Sequence, residues 1–255
     1  MAHAGTTNAL VTGGARRIGR EIVVDLARHD IGVAIHCHRS RAEADELAAE
    51  IRGQGGRAVV VEADLADTEA AEGLVRRAEE AIGPLSILVN NASIFESDTA
   101  EEFDWETWDQ HFAIHVKAPA ALTRALAASC GGTREGLVVN VIDQRVWRPT
   151  PRYFSYTLSK SALWMATRTM AQTFAPTIRV NAIGPGPAFP NARQDEAAFS
   201  AQVAGVILGR GPAMGEFGAT IRYLWSARSV TGQMIALDGG QHLAWQTPDV
   251  AGIAE

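Results

Sequence analysis

The sequence has few cysteines, no excess of basic residues and no long apolar run. Its two cysteines cannot form a disulfide framework, so a reduced, cytoplasmic compartment is expected. The net charge of −6 argues against a general nucleic-acid-binding protein, because such proteins usually present a basic face. The N-terminal segment MAHAGTTNAL does not resemble a secretory signal, and no stretch approaches the roughly 18 apolar residues of a membrane span. We therefore expect neither nucleic acid nor a membrane as a partner.

Short apolar segments alternate with longer amphipathic ones along the whole chain. The short segments are rich in Val and Ile and predict buried parallel strands, and the longer ones predict helices. The predicted strands are 8–12, 32–37, 58–62, 87–90, 136–142, 178–182 and 234–237. The predicted helices are 18–29, 41–52, 69–82, 105–129, 153–174 and 216–226. This alternation predicts a single α/β domain over residues 1–255, with a doubly wound, parallel, seven-stranded sheet.

A Gly- and Pro-rich segment, 184–191, follows the sixth predicted strand. Ligands in such folds bind at the carboxyl ends of the strands, so this segment is predicted to be an active-site loop. Residues 188–209 are predicted to form the substrate loop. Within it, Phe189 and Phe199 fit either substrate contact or packing.

A glycine-rich turn follows the first strand and reads TGGARRIGR from Thr12 to Arg20. Glycines let backbone amides approach a phosphate, and the N-terminus of the next helix favours its negative charge. The position of the turn favours a Rossmann-type dinucleotide site over an ordinary connection. The residues assigned to this site are Gly13, Arg17, Ile18 and Gly19.

The end of the second strand carries no acidic residue. A site for NAD usually has an Asp or Glu there for the ribose hydroxyls, whereas this chain reads HCHRS at 36–40. Arg39 can pair with a 2′-phosphate and Ser40 can hydrogen-bond to it, which favours NADPH over NADH. No metal site is predicted in the HCH segment, because alternate strand residues point to opposite faces and no further ligands are evident.

Polar residues also follow the third and fourth predicted strands, where a doubly wound sheet binds its ligands. Asp64 can accept a hydrogen bond from an adenine amino group, although an Asp at such a position also commonly caps a helix. The further predicted cofactor contacts at this edge of the sheet are His38, Asp64, Leu65, Asn90, Ala92 and Ser93.

Tyr156 and Lys160 lie four residues apart near the start of a predicted helix and therefore share one of its faces. A phenol is a poor acid near neutral pH, since its reference pKa is about 10. A nearby ammonium group favours the phenolate and lowers that pKa. The pair suits proton transfer beside a hydride carrier, although the same spacing also fits a solvent-facing Tyr with an unrelated Lys.

Together these motifs resemble those of the short-chain dehydrogenase/reductase family over residues 8–240. The matching segments are the TGxxxxxG turn, DL at 64–65, NNA at 90–92, YxxxK at 156–160, IRVNAIGPG at 178–186 and DGG at 238–240. The resemblance implies that Tyr156 donates a proton and that Lys160 lowers the pKa of Tyr156 and holds the nicotinamide ribose. It also implies that Pro185 and Gly186 line the cofactor site, and that the protein is a homotetramer.

Three positions depart from the usual family pattern. Asp143 stands thirteen residues before Tyr156, where most members have a Ser; His115 stands in place of an Asn, and Arg17 in place of a glycine. Two of these departures resemble the pteridine reductases and the related dihydromonapterin and dihydrofolate reductases. Further marks of that subgroup are HRS at 38–40 and an aromatic residue, Phe95, after NNAS. The resemblance implies that the substrate-binding residues are Arg17, Ser93, Phe95, Asp143 and Tyr156.

The main hypothesis is hydride transfer from NADPH to a C=N bond of a dihydropterin. Phe95 would stack on the flat ring, with Asp143, Tyr156 and Lys160 as the catalytic residues. Phe95 also fits a core aromatic residue, and Asp143 a strand-end cap. Two other functions stay open: a reductase of ketones, aldehydes or 3-oxoacyl groups, and an NADP-binding regulatory protein without turnover. The presence of both Tyr156 and Lys160 argues against the regulatory protein.

Overall fold

The structure is a computed structural model that describes residues 6–190, 195–247 and 251–252. The strands in this part of the chain are β1 (Asn8–Val11), β2 (Gly32–Cys37), β3 (Ala58–Glu62), β4 (Ile87–Asn90), β5 (Gly136–Val141), β6 (Ile178–Pro185) and β7 (Met234–Leu237). They form one sheet in the order β3-β2-β1-β4-β5-β6-β7, with every neighbouring pair parallel. The predicted doubly wound, seven-stranded Rossmann-type sheet is confirmed. The extent of the domain, residues 1–255, stays a prediction.

Helices cover both faces of the sheet. They are α1 (Arg17–Arg28), α2 (Arg41–Gly53), α3 (Thr68–Ile82), α4 (Trp105–Phe112), α5 (Ala118–Cys130), α6 (Phe154–Thr173), α7 (Glu196–Ala204) and α8 (Met214–Ser226). Apolar side chains of α1, α2 and α8 form the core on one face, and those of α3, α5 and the end of α6 form it on the other. Among the described helices, none has the length and apolar character that crossing a lipid bilayer requires.

Successive residues of each strand contribute to opposite faces of the sheet, so both faces are buried. In β1, Ala9 and Val11 join the core with α1, whereas Leu10 joins the core with α3. The two cysteines are divided in the same way. Cys37 lies in the first core and Cys130 in the second, and both are buried free thiols.

The single helix predicted over 105–129 is wrong in its middle. Residues Ala113–Lys117 form a π turn between α4 and α5, with the buried side chain of His115 at its centre. Pro119 lies in the first turn of α5 and has no N–H with which to continue the helical hydrogen bonds toward His115. Prolines and π turns are both known to interrupt helices. The 3.6-residue period of apolar residues does not reveal a π turn, so the sequence pattern predicts one continuous helix.

The predicted substrate loop, 188–209, contains a helix that the sequence analysis missed. Asp195 begins α7 by accepting a hydrogen bond from the Ala198 amide at 2.7 Å. No residue of α7 is buried, so the helix lacks the amphipathic pattern by which helices are recognised. In the predicted active-site loop, residues 184 and 185 belong to β6, and Asn191 lies outside the described residues.

Candidate active site

The glycine-rich turn after β1 is fixed against the loop that follows β4. Asn91 Nδ2 donates to the backbone carbonyls of Thr12 and Gly13, at 2.8 and 3.1 Å. Gly13 has a φ of +60°, which glycine adopts without strain. A Cβ atom at Gly19 would lie only 2.2 Å from the Gly13 carbonyl oxygen, so α1 approaches the turn this closely because residue 19 is a glycine. The turn and the first residues of α1, including Ile18, thus form a backbone cradle at the edge of the sheet.

His36 supports the same turn from below. Its Nδ1 accepts from the Gly13 amide at 3.1 Å, and its Nε2 therefore carries the hydrogen that bonds to the Ala63 carbonyl, also at 3.1 Å. Burial lowers the pKa of His36 to about 4, so the ring is neutral near pH 7. Both ring nitrogens are occupied by the protein. Sequence reasoning considered His36 only as a metal ligand and missed this supporting role.

A cavity of about 430 Å³ opens beside the turn, at the carboxyl ends of β1, β2 and β3. It brings together eight residues that the sequence predicts as cofactor contacts: Gly13, His38, Arg39, Ser40, Asp64, Leu65, Ala92 and Ser93. The lining residues that were not predicted as cofactor contacts are Arg16, His36, Cys37, Ala66, Ile94, Gln110 and Ile114. The cavity therefore lies where a dinucleotide is expected in this fold.

Arg39 supplies an uncompensated positive charge to this cavity. Its side chain is exposed and has no hydrogen-bond or ion-pair partner among the residues that the structure describes. The nearby Arg41, by contrast, is held by Asp45 at 2.8 Å and by Glu62 at 3.4 Å. Ser40 precedes α2, and its side chain makes no capping hydrogen bond. Arg39 and Ser40 are thus both available to an anion.

Asp143, Tyr156 and Lys160 meet where β5 ends against α6. The Tyr156 hydroxyl donates to Asp143 Oδ2 at 3.1 Å, and Asp143 Oδ1 accepts from the Arg145 amide at 2.8 Å. The buried Lys160 Nζ donates to the Val141 carbonyl at 2.9 Å and lies 5.7 Å from the centre of the Tyr156 ring. The three residues predicted to be catalytic therefore occupy one site.

Burial shifts the pKa of all three groups. It lowers the pKa of Lys160 to about 8, and it raises the pKa of the Asp143 carboxyl. The pKa of Tyr156 is raised well above its usual value by burial and then by the Asp143 carboxylate. In net the pKa of Tyr156 is raised, because burial and Asp143 outweigh any lowering by the ammonium group of Lys160, whose own contribution stays a prediction. Tyr156 is therefore a protonated donor at neutral pH.

Asn90 ends β4 with an unfilled acceptor. Its Nδ2 donates to Asn140 Oδ1 at 2.8 Å, and Asn140 in turn donates to the Thr167 hydroxyl at 2.8 Å. The Oδ1 atom of Asn90 is buried and has no hydrogen-bond partner among the described residues. A buried acceptor of this kind usually has a partner in the working molecule, either an ordered water or a ligand.

Comparison with known proteins agrees with this geometry. A family model described as short chain dehydrogenase matches residues 7–199. The chain belongs to the short-chain dehydrogenase family. A short-chain type dehydrogenase/reductase from Picea abies is 34% identical over 247 residues, covering 91% of each chain. Glucose 1-dehydrogenase 2 from Bacillus subtilis is 30% identical, covering 92% of this chain and 94% of its own.

A solved structure gives the finer resemblance. FolM alternative dihydrofolate reductase 1 from Brucella suis, crystallised in complex with NADP, is 56% identical and has a TM-score of 0.94. The similarity covers 96% of this chain and 98% of that one. The resemblance to the dihydrofolate and pteridine reductase subgroup, inferred from the sequence, is confirmed. The Brucella suis structure also contains NADP, in agreement with the NADPH cofactor that the sequence predicts for this short-chain dehydrogenase.

Arg17, which departs from the family's glycine pattern, reaches across the site. Its Nη1 donates to the Pro190 carbonyl at 3.2 Å, and its guanidinium lies 5.4 Å from the centre of the Phe189 ring. Its φ is +51°, an uncommon conformation for a residue other than glycine. Arg17 therefore links the turn after β1 to the loop after β6, in a position between the predicted cofactor and substrate sites.

Phe95 lies beside Tyr156. Its ring stacks on Tyr153 with centroids 4.1 Å apart, and it meets Tyr156 edge-on at 4.7 Å. Arg145 lies 5.0 Å from the Tyr153 ring centre and 5.9 Å from that of Phe95. Sequence reasoning missed Tyr153 and Arg145, because only the fold brings them against Phe95. The site of this short-chain dehydrogenase thus has an aromatic wall next to Asp143.

Pro185 ends β6, and Gly186 follows it at the same edge of the sheet. The Gly186 amide donates to the Leu237 carbonyl at 2.9 Å, and a Cβ atom at residue 186 would lie 2.6 Å from Asp238 Cα. Gly186 is therefore required by packing against the DGG segment, a role separate from the predicted cofactor contact. Asp238 is buried and accepts from the Gly240 amide at 2.9 Å, which shapes that segment.

Proposed function

We propose that this short-chain dehydrogenase is an NADPH-dependent reductase that transfers a hydride to a C=N bond of a dihydropterin or dihydrofolate. The observation that carries the proposal is the hydrogen bond from Tyr156 to Asp143 beside the ring of Phe95. An acid that can both accept and donate suits a ring with several nitrogen and oxygen atoms, and an aromatic wall suits a flat ring. The similarity to an alternative dihydrofolate reductase supports the same substrate class.

Residues around the cavity fit NADPH. Arg39 and Ser40 would hold the 2′-phosphate, since they lie at the N-terminus of α2, Arg39 has no partner among the described residues and the Ser40 side chain makes no capping hydrogen bond. The glycine cradle at Gly13 would receive the pyrophosphate, and Asn90, whose buried Oδ1 has no partner among the described residues, would contact the cofactor at the end of β4. Bound NADPH would supply the hydride, which no side chain can provide.

The chain's own groups would manage the proton. The raised pKa of Tyr156 keeps its phenol protonated, so it can donate to a substrate nitrogen, while Asp143, whose pKa burial raises, accepts from that hydroxyl and holds it in place. Lys160, with its pKa near 8, remains largely cationic at neutral pH and favours negative charge on its neighbours. Arg17 and Ser93 would contact the edge of the substrate ring.

A substrate panel tests the proposal. With NADPH as reductant, we expect turnover of dihydrobiopterin or dihydrofolate, and at least about 100-fold lower kcat/KM for simple ketones and 3-oxoacyl thioesters, about 2.7 kcal/mol in transition-state binding. Tyr156→Phe should abolish turnover and leave NADPH binding within about twofold, because it removes only the donated proton. Oxidation of NADPH by carbonyl compounds alone would overturn the pterin assignment.

A carbonyl reductase is the second candidate. The similarity to a glucose 1-dehydrogenase favours it. In such an enzyme Asp143 would replace the family's Ser as a hydrogen-bonding group. A regulatory NADP-binding protein is the third candidate, and absence of turnover with every compound of the panel would favour it. The same panel therefore separates all three functions.

We also propose that the protein is a cytoplasmic homotetramer. Two buried free thiols suit a reducing compartment. Large exposed aromatic side chains support self-association: Trp105 is 67% exposed and lies against Phe103 and Trp108.

A further inference from the structure

Two buried histidines connect the segment after β4 to helix α6. His115, in the π turn, has its Nε2 atom 2.9 Å from the Ser93 hydroxyl oxygen and 3.3 Å from the Ile94 amide nitrogen. On the other side of the ring, its Nδ1 atom lies 2.8 Å from the Ser159 hydroxyl oxygen. The ring thus joins residues 93 and 94 to the helix that carries the catalytic tyrosine.

His111 makes a second connection of the same kind, one helical turn earlier. Its Nε2 lies 3.4 Å from the Glu96 amide nitrogen, and its Nδ1 lies 2.7 Å from the Ser155 hydroxyl oxygen. The Ser155 hydroxyl donates to the Asp98 carboxylate, which also accepts from the Ser155 amide at 3.1 Å. Two histidines four residues apart therefore face two serines four residues apart.

The partners fix the protonation state of both rings. A backbone amide can only donate, so the Nε2 atom of each ring must be the unprotonated acceptor. The hydrogen then sits on Nδ1 and is donated to Ser155 or Ser159. Burial lowers the pKa of both His111 and His115, and the charge of Lys160 lowers both further, so both rings are neutral at pH 7. In both histidines, Nε2 therefore accepts from a backbone amide of the segment after β4, and Nδ1 donates to a serine hydroxyl of α6.

The rings also enclose the catalytic phenol. The centroid of His115 lies 5.4 Å from that of Tyr156 at 90°, and that of His111 lies 5.9 Å away at 74°. Phe95, which belongs to the segment that the histidines hold, completes the enclosure at 4.7 Å. The separation of Phe95 from Tyr156 therefore depends on both histidines.

We propose that His111 and His115 are positioning residues that fix the segment 93–96, and with it Phe95, against Tyr156. The hydrogen bonds from the Ile94 and Glu96 amides to the two Nε2 atoms carry this role. The effect on substrate rests on the proposed function. The effect on the segment does not, because it concerns backbone amides of the free protein.

The test replaces His115 with two amide side chains, each of which places its polar group at the position of a different ring nitrogen. A glutamine amide reaches the position of Nε2, whereas an asparagine amide reaches only the position of Nδ1. We expect His115→Gln to leave the KM for dihydropterin within about threefold, and His115→Asn to raise it about tenfold with kcat changed less than about threefold. His29, exposed at the end of α1, is the matched control, and His29→Gln and His29→Asn should leave both constants unchanged.

Amide hydrogen exchange in the full-length protein gives a readout without substrate. Exchange at Ile94 should accelerate about tenfold in His115→Asn and stay near wild type in His115→Gln. Exchange at Glu96 should likewise accelerate in His111→Asn and stay near wild type in His111→Gln. The Gly56 amide, bonded to the Ile51 carbonyl, serves as a remote reference that reports general destabilisation. Equal acceleration at Gly56, or no difference between the Asn and Gln variants, would overturn the proposal. If the wild-type protein reduces no pterin, the proposed function fails while this measurement still decides the positioning role.

Discussion

Arg39 is the side chain on which the choice between NADPH and NADH depends. Its guanidinium is unpaired among the described residues, whereas Arg41 two positions later is held by Asp45 and Glu62. We expect Arg39→Ala to weaken NADPH binding about 10- to 100-fold, as for loss of one charged hydrogen-bonded contact, and to leave NADH binding nearly unchanged. Fluorescence titration with both cofactors measures this.

Arg41→Ala is the matched control, because it removes an equal charge from the same segment. We expect it to change NADPH binding less than about threefold, since Asp45 and Glu62 already neutralise Arg41. Equal losses of NADPH and NADH in Arg39→Ala would contradict the assignment of a 2′-phosphate contact.

The packing of helix α1 requires a glycine at position 19, whereas helix α3 has space for a side chain at Gly73. A Cβ atom at Gly19 would meet the Gly13 carbonyl oxygen at 2.2 Å and Asn91 Nδ2 at 2.6 Å, whereas one at Gly73 would meet nothing within 4 Å. We expect Gly19→Ala to lower the free energy of unfolding by about 1–3 kcal/mol and to weaken NADPH binding, because the turn must shift. Gly73→Ala should instead stabilise the protein by about 0.5–1 kcal/mol.

Urea unfolding of the two variants measures the difference, with NADPH titration alongside. Stabilisation by Gly19→Ala would show that the turn tolerates a side chain and that the cradle is not formed by close packing. The two positions make a matched pair, since the substitution is the same and both residues lie within helices.

Local spacing is sufficient to predict the strands, the turn at Gly13 and the pair Tyr156 and Lys160, because each is defined within a few consecutive residues. Elements without such a local pattern are missed. Helix α7 buries none of its residues, and the π turn adds a residue to the helical period near Pro119. Contacts such as Tyr153 with Phe95 join residues 58 positions apart, and only the assembled fold brings them together.

Three buried neutral histidines make the stability of the whole protein sensitive to acid. The pKa of His36 is lowered to about 4, and burial lowers those of His111 and His115 as well. The unfolded chain binds these protons near pH 6.5, whereas folded His36 binds its proton only near pH 4. Acidification through that range therefore favours unfolding, by about 3 kcal/mol for His36 alone.

Urea unfolding at pH 7.5, 6 and 5 measures this loss of stability. His36→Gln should reduce the pH dependence and leave the part that comes from His111 and His115, whereas His29→Gln, which changes an exposed ring, should not alter it. A wild-type free energy of unfolding that is constant between pH 7.5 and 5 would show that these rings take up protons in the folded protein at the same pH as in the unfolded chain.

Cys37 and Cys130 can report local opening of the two cores of the protein. One thiol lies in the core on each face of the sheet, and burial raises the pKa of both, so neither forms a reactive thiolate while its layer stays closed. A thiol reagent added to the native protein therefore reacts at each cysteine only when that layer opens. Different labelling rates at Cys37 and Cys130 would show that the two cores open separately, and equal rates would show that they open together in a single unfolding event.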